Sequence, residues 1–442
     1  MKKTLLFYPA IFIATALLCM AFLMLTALIP RERIRENATT SADFFMETDL
    51  FEHSVGKLEN FKKDNYADCI TTGIAWHLGE GNLYEAVIAA NYNRSADENV
   101  NVSFYNEMQG KESQTESYCR YWHGSAGVVR LLLLISDVET IRYILVTLGA
   151  ILNAAFVFTL IRKKQVALGL TYVFAFILVN GFFALTCLEY AFVFLLAPIS
   201  AIVLLTGRQM KQKRYAVAVF LVVGMLTAFF DFLTAETLTY TIPFMVYYVG
   251  VWESKKTKDK KSAQTDWNLF LQTGCAWCAG YAGMFLLKWL LAWITLGKEA
   301  FLSATEMAME RIGGDVGLTA NIAGEKATLL QRWQGIWQRN AGCLYWGSQD
   351  MTPATLVVIT ALIVAVLGIF WYMAHKEKFA YDKTKILLAV ACIPYIRFFI
   401  LSNHSYIHYF FTYRAQMVSV IIVLFLIYKT TILSERVKGK SR

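Results

Sequence analysis

The chain has 442 residues, of which 57% are hydrophobic and 15% aromatic, with a formal net charge of +9 and a mean hydropathy of +0.44. Charged side chains make up 17%, well short of the quarter usual in soluble domains. This composition excludes a soluble enzyme, and the long unbroken apolar runs point to membrane-spanning helices rather than a closed barrel, the two ways a backbone satisfies itself in lipid.

In chain order, "MKK" precedes an apolar run from 4 to 29. At about 25 residues, with no small-x-small cleavage site before Pro30, it reads as a retained anchor rather than a cleaved signal. Residues 30–138 follow as an insertion whose apolar pattern is amphipathic and not spanning, which predicts a small α-rich domain held against the membrane. Within it "DNYADCITTGIAWHLGEGNLYEAV" predicts one or two helices broken at Gly79 and Gly81. "YWHGSAGVVRLLLLIS" predicts an interfacial helix with Arg130 snorkelling. Apolar runs then fall at 139–161, 165–186, 188–206, 215–235, 237–252 and 267–296. A second polar insertion, 297–352, combines helical stretches, a glycine-rich middle and three tryptophans suited to the bilayer surface. The remainder, 353–442, carries runs at 354–374, 386–402 and 414–433. The fold class expected is therefore an all-α polytopic membrane protein with about ten transmembrane helices and a large α-rich extracytoplasmic loop after the first.

Charge orients the chain. Strict alternation from an inside N-terminus gathers 23 basic and 6 acidic residues on the cytoplasmic side, where Lys and Arg concentrate. The first insertion, 31–137, holds 10 basic and 17 acidic residues, as an extracytoplasmic segment would. Arg31, Arg33 and Arg35 run against the pattern, but five later basic loops agree with one another and outweigh them. The +9 charge is thus a topology signal and gives no reason to invoke nucleic acid. Both termini are expected in the cytoplasm of a multi-pass cell-membrane protein. Of the eight cysteines, Cys19, Cys187, Cys275, Cys278 and Cys392 lie in or beside spans and read as packing; Cys69, Cys119 and Cys343 lie outside, where a Cys69–Cys119 disulfide is a candidate.

A set of polar residues falls toward the outer half of the membrane. Asp64 and Asp68 are four apart, on one face of a helix. Asp231 lies near the outer end of a span, where an ionised carboxylate calls for a partner, a cavity or water. Arg120 and His123 occur in "YCRYWHG". His404, His408 and Arg414 occur in "SNHSYIHYFFTYRAQ", between two apolar runs. The i, i+4 spacing of the two histidines suits a metal, but no Glu lies between them in an H-E-x-x-H pattern, so zinc is not expected. Each residue alone has a plainer reading as a solvated charge or anchor; together they suit an outward cleft. There a carboxylate deprotonates an acceptor hydroxyl or holds a divalent cation, while Arg and His neutralise a phosphate leaving group.

In layout the chain resembles the polytopic GT-C superfamily of glycosyltransferases: an inside N-terminus, a first span followed by a large acidic outer loop, about ten spans, and smaller outer loops later. The resemblance implies a polyprenyl-phosphate sugar donor, an envelope glycan or lipid acceptor, membrane lipid around the protein, and in some members a divalent cation such as Mg or Mn. Carried over, it makes Asp68 or Asp64 the catalytic carboxylate and places substrate contacts among Arg120, His123, Asp231, His404, His408 and Arg414. No acidic pair directly follows the first span here; "FFMETD" and "DNYAD" come later, which leaves the choice of base open. The rival readings are a transporter or lipid-linked oligosaccharide flippase, using Asp231 and Lys288, and a surface-glycan polymerase or ligase.

Overall fold

The computed structural model describes residues 6–252, 263–313, 328–345 and 381–440. The first helix, α1 (Phe7–Ala27), contains no charged residue and turns Leu17 and Leu18 outward at 65% and 71% exposure, a surface suited to lipid.

Between α1 and the next long apolar helix lies the first insertion. Its helices are α2 (Arg35–Glu47), α3 (Asn65–His77), α4 (Leu83–Ala89), α5 (Val100–Met108) and α6 (Gly124–Leu132), with a short antiparallel ribbon of β1 (Asn91–Asn93) and β2 (Thr115–Ser117). The helix starts are legible in the sequence. Asp64 caps α3 by accepting the Ala67 amide at 2.9 Å, and Asn82 caps α4 by accepting those of Tyr84 and Glu85. Two buried cations fasten this domain to the bundle. Arg130 does not snorkel but donates inward to the carbonyls of Thr26, Ile29, Ala75 and Trp76, the unpaired ends of α1 and α3. Lys288 does the same for Val87 and Ile88 at the end of α4, at 3.2 and 2.8 Å.

Beyond the domain come α7 (Val138–Arg162), α8 (Val166–Leu178), α9 (Ala191–Thr206), α10 (Lys213–Phe230), α11 (Leu238–Tyr247), α12 (Ala263–Leu296), α13 (Lys298–Gly313), α14 (Leu329–Tyr345), α15 (Tyr381–Ile400) and α16 (Met417–Lys440). Among the described residues five helical stretches are long and apolar enough to cross a bilayer: Phe7–Ala27, Val138–Arg162, Lys213–Phe230, Asp266–Leu296 and Tyr409–Lys429. That makes a multi-pass membrane protein, with five such helices where about ten were expected. Three of the expected spans are shorter than they read. The run 165–186 breaks where Asn180 turns left-handed (φ 52°), α9 spans 16 residues, and α11 gives way after 10 to a π turn at Tyr248–Trp252. In α15 Arg397 and Pro394 interrupt the apolar character, and the run 354–374 lies outside the described residues.

The helices α10 and α12 pack against each other through glycine. A Cβ at Gly224 would stand 2.1 Å from the Trp277 carbonyl oxygen, and one at Gly280 2.2 Å from that of Leu221. Small residues let the two backbones touch, the device membrane helices use where burial of apolar surface gives no drive. The second insertion supplies α13 and α14, which cover the end of the bundle beside the turns Ser402–Ile407 and Tyr409–Thr412. Its glycine-rich middle lies largely outside the described residues. All eight cysteines are free, so Cys69 and Cys119 are not bridged; both are buried singly in packed surroundings.

Candidate functional site

Where the first insertion meets the bundle, a cavity of about 350 Å³ opens, lined by aromatic rings and titratable side chains and the more polar of two that adjoin. The N-terminus of α3 brings Asp64, Tyr66 and Thr71 to it. The segment before α6 brings Tyr118, Tyr121 and His123, and the turn before α9 brings Glu189. The end of α13 contributes Arg311, and the turns before the last span contribute His404, His408, Phe410 and Phe411. Phe51, stacked on Tyr66 with centroids 5.9 Å apart, and Lys62, 4.8 Å above the Phe410 ring, stand on the side of the insertion.

Among the described residues the carboxylates here have no ion-pair partner. Asp64 takes the Ala67 amide on Oδ1 and the Tyr190 hydroxyl on Oδ2 at 3.4 Å, and neither of its contacts carries charge. Burial pushes its carboxyl up to about 7; the Ala67 amide opposes this and the nearby Asp68 carboxylate adds to it. Among the described residues no ion pair reaches Glu189. Burial, and then the Asp64, Asp231 and Asp68 carboxylates, push it well above the usual range, with Arg311 opposing.

Burial keeps the three imidazoles neutral, and their partners fix which nitrogen carries the proton. Arg311 donates Nη1 to His408 Nε2 at 2.7 Å, so that nitrogen carries no proton. His123 donates Nε2 to the Tyr118 carbonyl at 2.8 Å, and His404 donates Nε2 to the Leu233 carbonyl at 2.9 Å. A carbonyl only accepts, so each of these rings keeps a bare Nδ1. Burial drives His123 and His408 down to about 3. Both bare Nδ1 atoms are buried without a partner, as are Nε of Arg120 and Nε of Arg311. Buried polar atoms are rarely left so, and four of them around one pair of cavities mark a place built for a ligand.

A second cavity of about 340 Å³ adjoins the first, and the two share Tyr121 and Arg311. It lies between α12 and α13 and is apolar throughout: Tyr281, Phe285, Leu286, Trp289, Met307 and Ala308 line it, with Arg120 and Arg311 as its charged residues. The Arg120 guanidinium lies 4.1 Å from the Tyr118 ring.

Of the residues singled out in the sequence, Asp64, His123, His404 and His408 line the polar cavity and Arg120 the apolar one. Asp68, Asp231 and Arg414 line neither. Asp68 is fully buried against Arg142, whose Nη2 is 2.6 Å from Oδ2, while its Oδ1 accepts the Leu188 amide. Asp231 closes a turn by accepting the amide and hydroxyl of Thr234. Arg414 donates to the carbonyls of Val179, Phe410 and Asn60, holding the segment 402–416 to the break at Asn180. Glu189 and Arg311 were not anticipated. Glu189 is a single carboxylate at the start of an apolar run, and Arg311 is one charge among several on an amphipathic helix. Glu236 and Arg397 form a buried ion pair at 2.8 Å. Arg397 and His404 both donate to the carbonyl of Leu233, which holds a left-handed φ of 67°.

Among the described residues no three His, Cys, Asp or Glu side chains converge to hold a metal ion. Comparison with protein families, curated protein sequences and solved structures finds no match for this chain.

Proposed function

We propose that this chain is a membrane glycosyltransferase that moves a sugar from a polyprenyl-phosphate donor to an acceptor outside the cytoplasm, in an envelope glycan, a lipid or a protein. The observation that carries the reading is the junction of an apolar cavity and a polar one at Tyr121 and Arg311. A donor of this class is itself divided at one point, an isoprenoid chain on one side of a phosphate and a sugar on the other. The chain would lie along Phe285, Leu286, Trp289 and Met307 on the bilayer side of the molecule. The phosphate would meet Arg311 and Arg120, whose unpartnered Nε groups are fixed donors for an anion.

The sugar then occupies the polar cavity. His123 and His404, with bare Nδ1 atoms, accept its hydroxyls and leave the phosphate to the arginines. Asp64 takes the proton from the acceptor hydroxyl, which enters past Phe51 and Tyr66. Asp68 serves by position: it holds the Leu188 amide and with it the turn that presents Glu189.

The test is transfer of a labelled sugar from a polyprenyl-phosphate donor by the full chain in liposomes. Ala308→Trp, which fills the apolar cavity, is expected to raise the donor KM at least tenfold with kcat retained. No transfer by the wild-type protein from any such donor, or an Ala308→Trp enzyme with unchanged KM, would sink the reading.

A further inference from the structure

The transferase reading leaves one buried carboxyl in the polar cavity without a task. We infer that Glu189 is a second catalytic carboxyl, which enters the reaction protonated and gives its proton to the departing phosphate. The inference rests on the transferase reading for its chemistry and on the placement of two carboxyls for its geometry.

Asp64 and Glu189 reach the cavity from different elements, the N-terminus of α3 and the turn before α9. The cations acting on them differ: Lys62 on Asp64, toward Phe51 and Phe410, and Arg311 on Glu189, toward the junction with the apolar cavity. On this assignment Asp64 serves the acceptor and Glu189 the phosphate. Asp68 sets Glu189 there, through the Leu188 amide it accepts at 2.9 Å and the Arg142 cation it keeps for itself. Around Glu189 the facing titratable groups are the Asp64, Asp68 and Asp231 carboxyls, the Tyr121 and Tyr190 hydroxyls and the Arg311 guanidinium, and the three imidazoles nearby stay neutral. With Asp68 already paired to Arg142 and burial acting on the rest, a proton is cheaper here than a second bare charge.

The step balances with that proton. The acceptor O–H bond breaks, its proton goes to Asp64, and the oxygen forms the new bond to the anomeric carbon. The bond from that carbon to the phosphate oxygen breaks with its electron pair left on oxygen, and the Glu189 proton passes to that oxygen as Arg311 and Arg120 hold the remaining charge. Asp64 ends protonated and Glu189 ionised; passage of the proton from one to the other across the cavity restores the start. Two carboxyls with environments that separate their protonation are the general signature of an acid and base pair.

The experiment uses the full chain in lipid nanodiscs with 13C-labelled glutamate, which separates glutamate from aspartate carbonyls in the infrared. At pH 7 the wild-type protein should show a protonated glutamate carbonyl band that Glu189→Gln lacks and Asp64→Asn retains. In the transfer assay Glu189→Gln should lower kcat by about 10²–10⁴-fold, remove the alkaline limb of the pH profile and leave donor KM within about twofold. Absence of the band from the wild-type protein overturns the inference without reference to any variant. So does a band that survives in Glu189→Gln, or an unchanged alkaline limb. A wild-type protein that shows the band yet transfers no sugar overturns the acid role together with the transferase reading, and the band tells that failure from the others.

Discussion

Arg142 Nη2 lies 2.6 Å from Asp68 Oδ2, and the pair is sealed from both cavities. Asp64, four residues earlier on the same side of the chain, faces the polar cavity with no ion-pair partner among the described residues. Two carboxylates that look equivalent in the sequence are thus divided by their partners: Asp68 is locked in an ion pair and Asp64 faces the cavity.

Asp68→Asn leaves Arg142 as a buried unpaired charge, which costs about 3–5 kcal/mol, and the loss should appear as a lower unfolding midpoint in detergent. The double variant Asp68→Asn with Arg142→Met should recover part of it, because no charge is then stranded. A stable Asp68→Asn protein with abolished turnover would move Asp68 into the chemistry.

Asp64→Asn keeps the helix start, since Asn caps as well as Asp. Its pH dependence follows from a carboxyl held at about 7. The base form grows as pH rises, so kcat/KM should climb through an acid limb with a midpoint near that value. Stability runs the other way: the unfolded chain gives up this proton near pH ~4 and the folded chain near 7, so the folded state is favoured less as pH rises between them. Asp64→Asn should flatten that part of the stability profile, as read by denaturant midpoints from pH 4 to 8.

In the first insertion His77 sits between Glu80 and Glu107, at 2.6 and 3.2 Å. Burial alone would lower its pKa, but hydrogen bonds to Glu107 and Glu80 prevail and raise it. Burial likewise opposes ionised Glu107, yet His77, Trp76 and Asn93 hold it at about 2. The His77 contribution is present below about 6.5 and lost as pH rises through its folded value; the Glu107 contribution is present above about 4.3 and lost as pH falls toward 2. Protease resistance of this domain should therefore peak between those limits, and His77→Gln should remove the decline on the alkaline side. An unaltered profile would show that the cluster does not set it.

Gly280→Ala drives a methyl to 2.2 Å from the Leu221 carbonyl, with backbone on both sides and nothing flexible to yield. A loss of about 1–3 kcal/mol is expected, visible as a lower unfolding midpoint; an unchanged midpoint would mean that α10 and α12 are free to separate.

Hydropathy alone located the five long apolar helices, because a run without charge of about 20 residues has few other fates. It overcounted where a run is broken by geometry: Asn180 in the left-handed region and the π turn after Tyr247 leave no mark on composition. At the site, residues 64, 123, 404 and 408, grouped in the sequence by an expected shared side of the membrane, line one cavity. What could not be read was division of labour. Asp68 and Arg414 have the residue types expected of a site, yet Arg142 and three backbone carbonyls take them up. Glu189, a lone carboxylate in an apolar stretch, and Arg311, one charge among several on its helix, acquire meaning only when the fold sets them around the same space.

The central claim is that Asp64 takes the acceptor proton in a cavity joined to the apolar one. It is tested most directly by comparing single-turnover transfer of labelled sugar from a polyprenyl-phosphate donor by wild-type, Asp64→Asn and Asp68→Asn proteins in liposomes. Transfer by the wild type, a fall of at least about 100-fold in Asp64→Asn with donor binding kept and an unfolding midpoint no lower than that of the wild type, and a loss in Asp68→Asn that tracks its lower stability are the predicted results. Full transfer by Asp64→Asn would contradict the account.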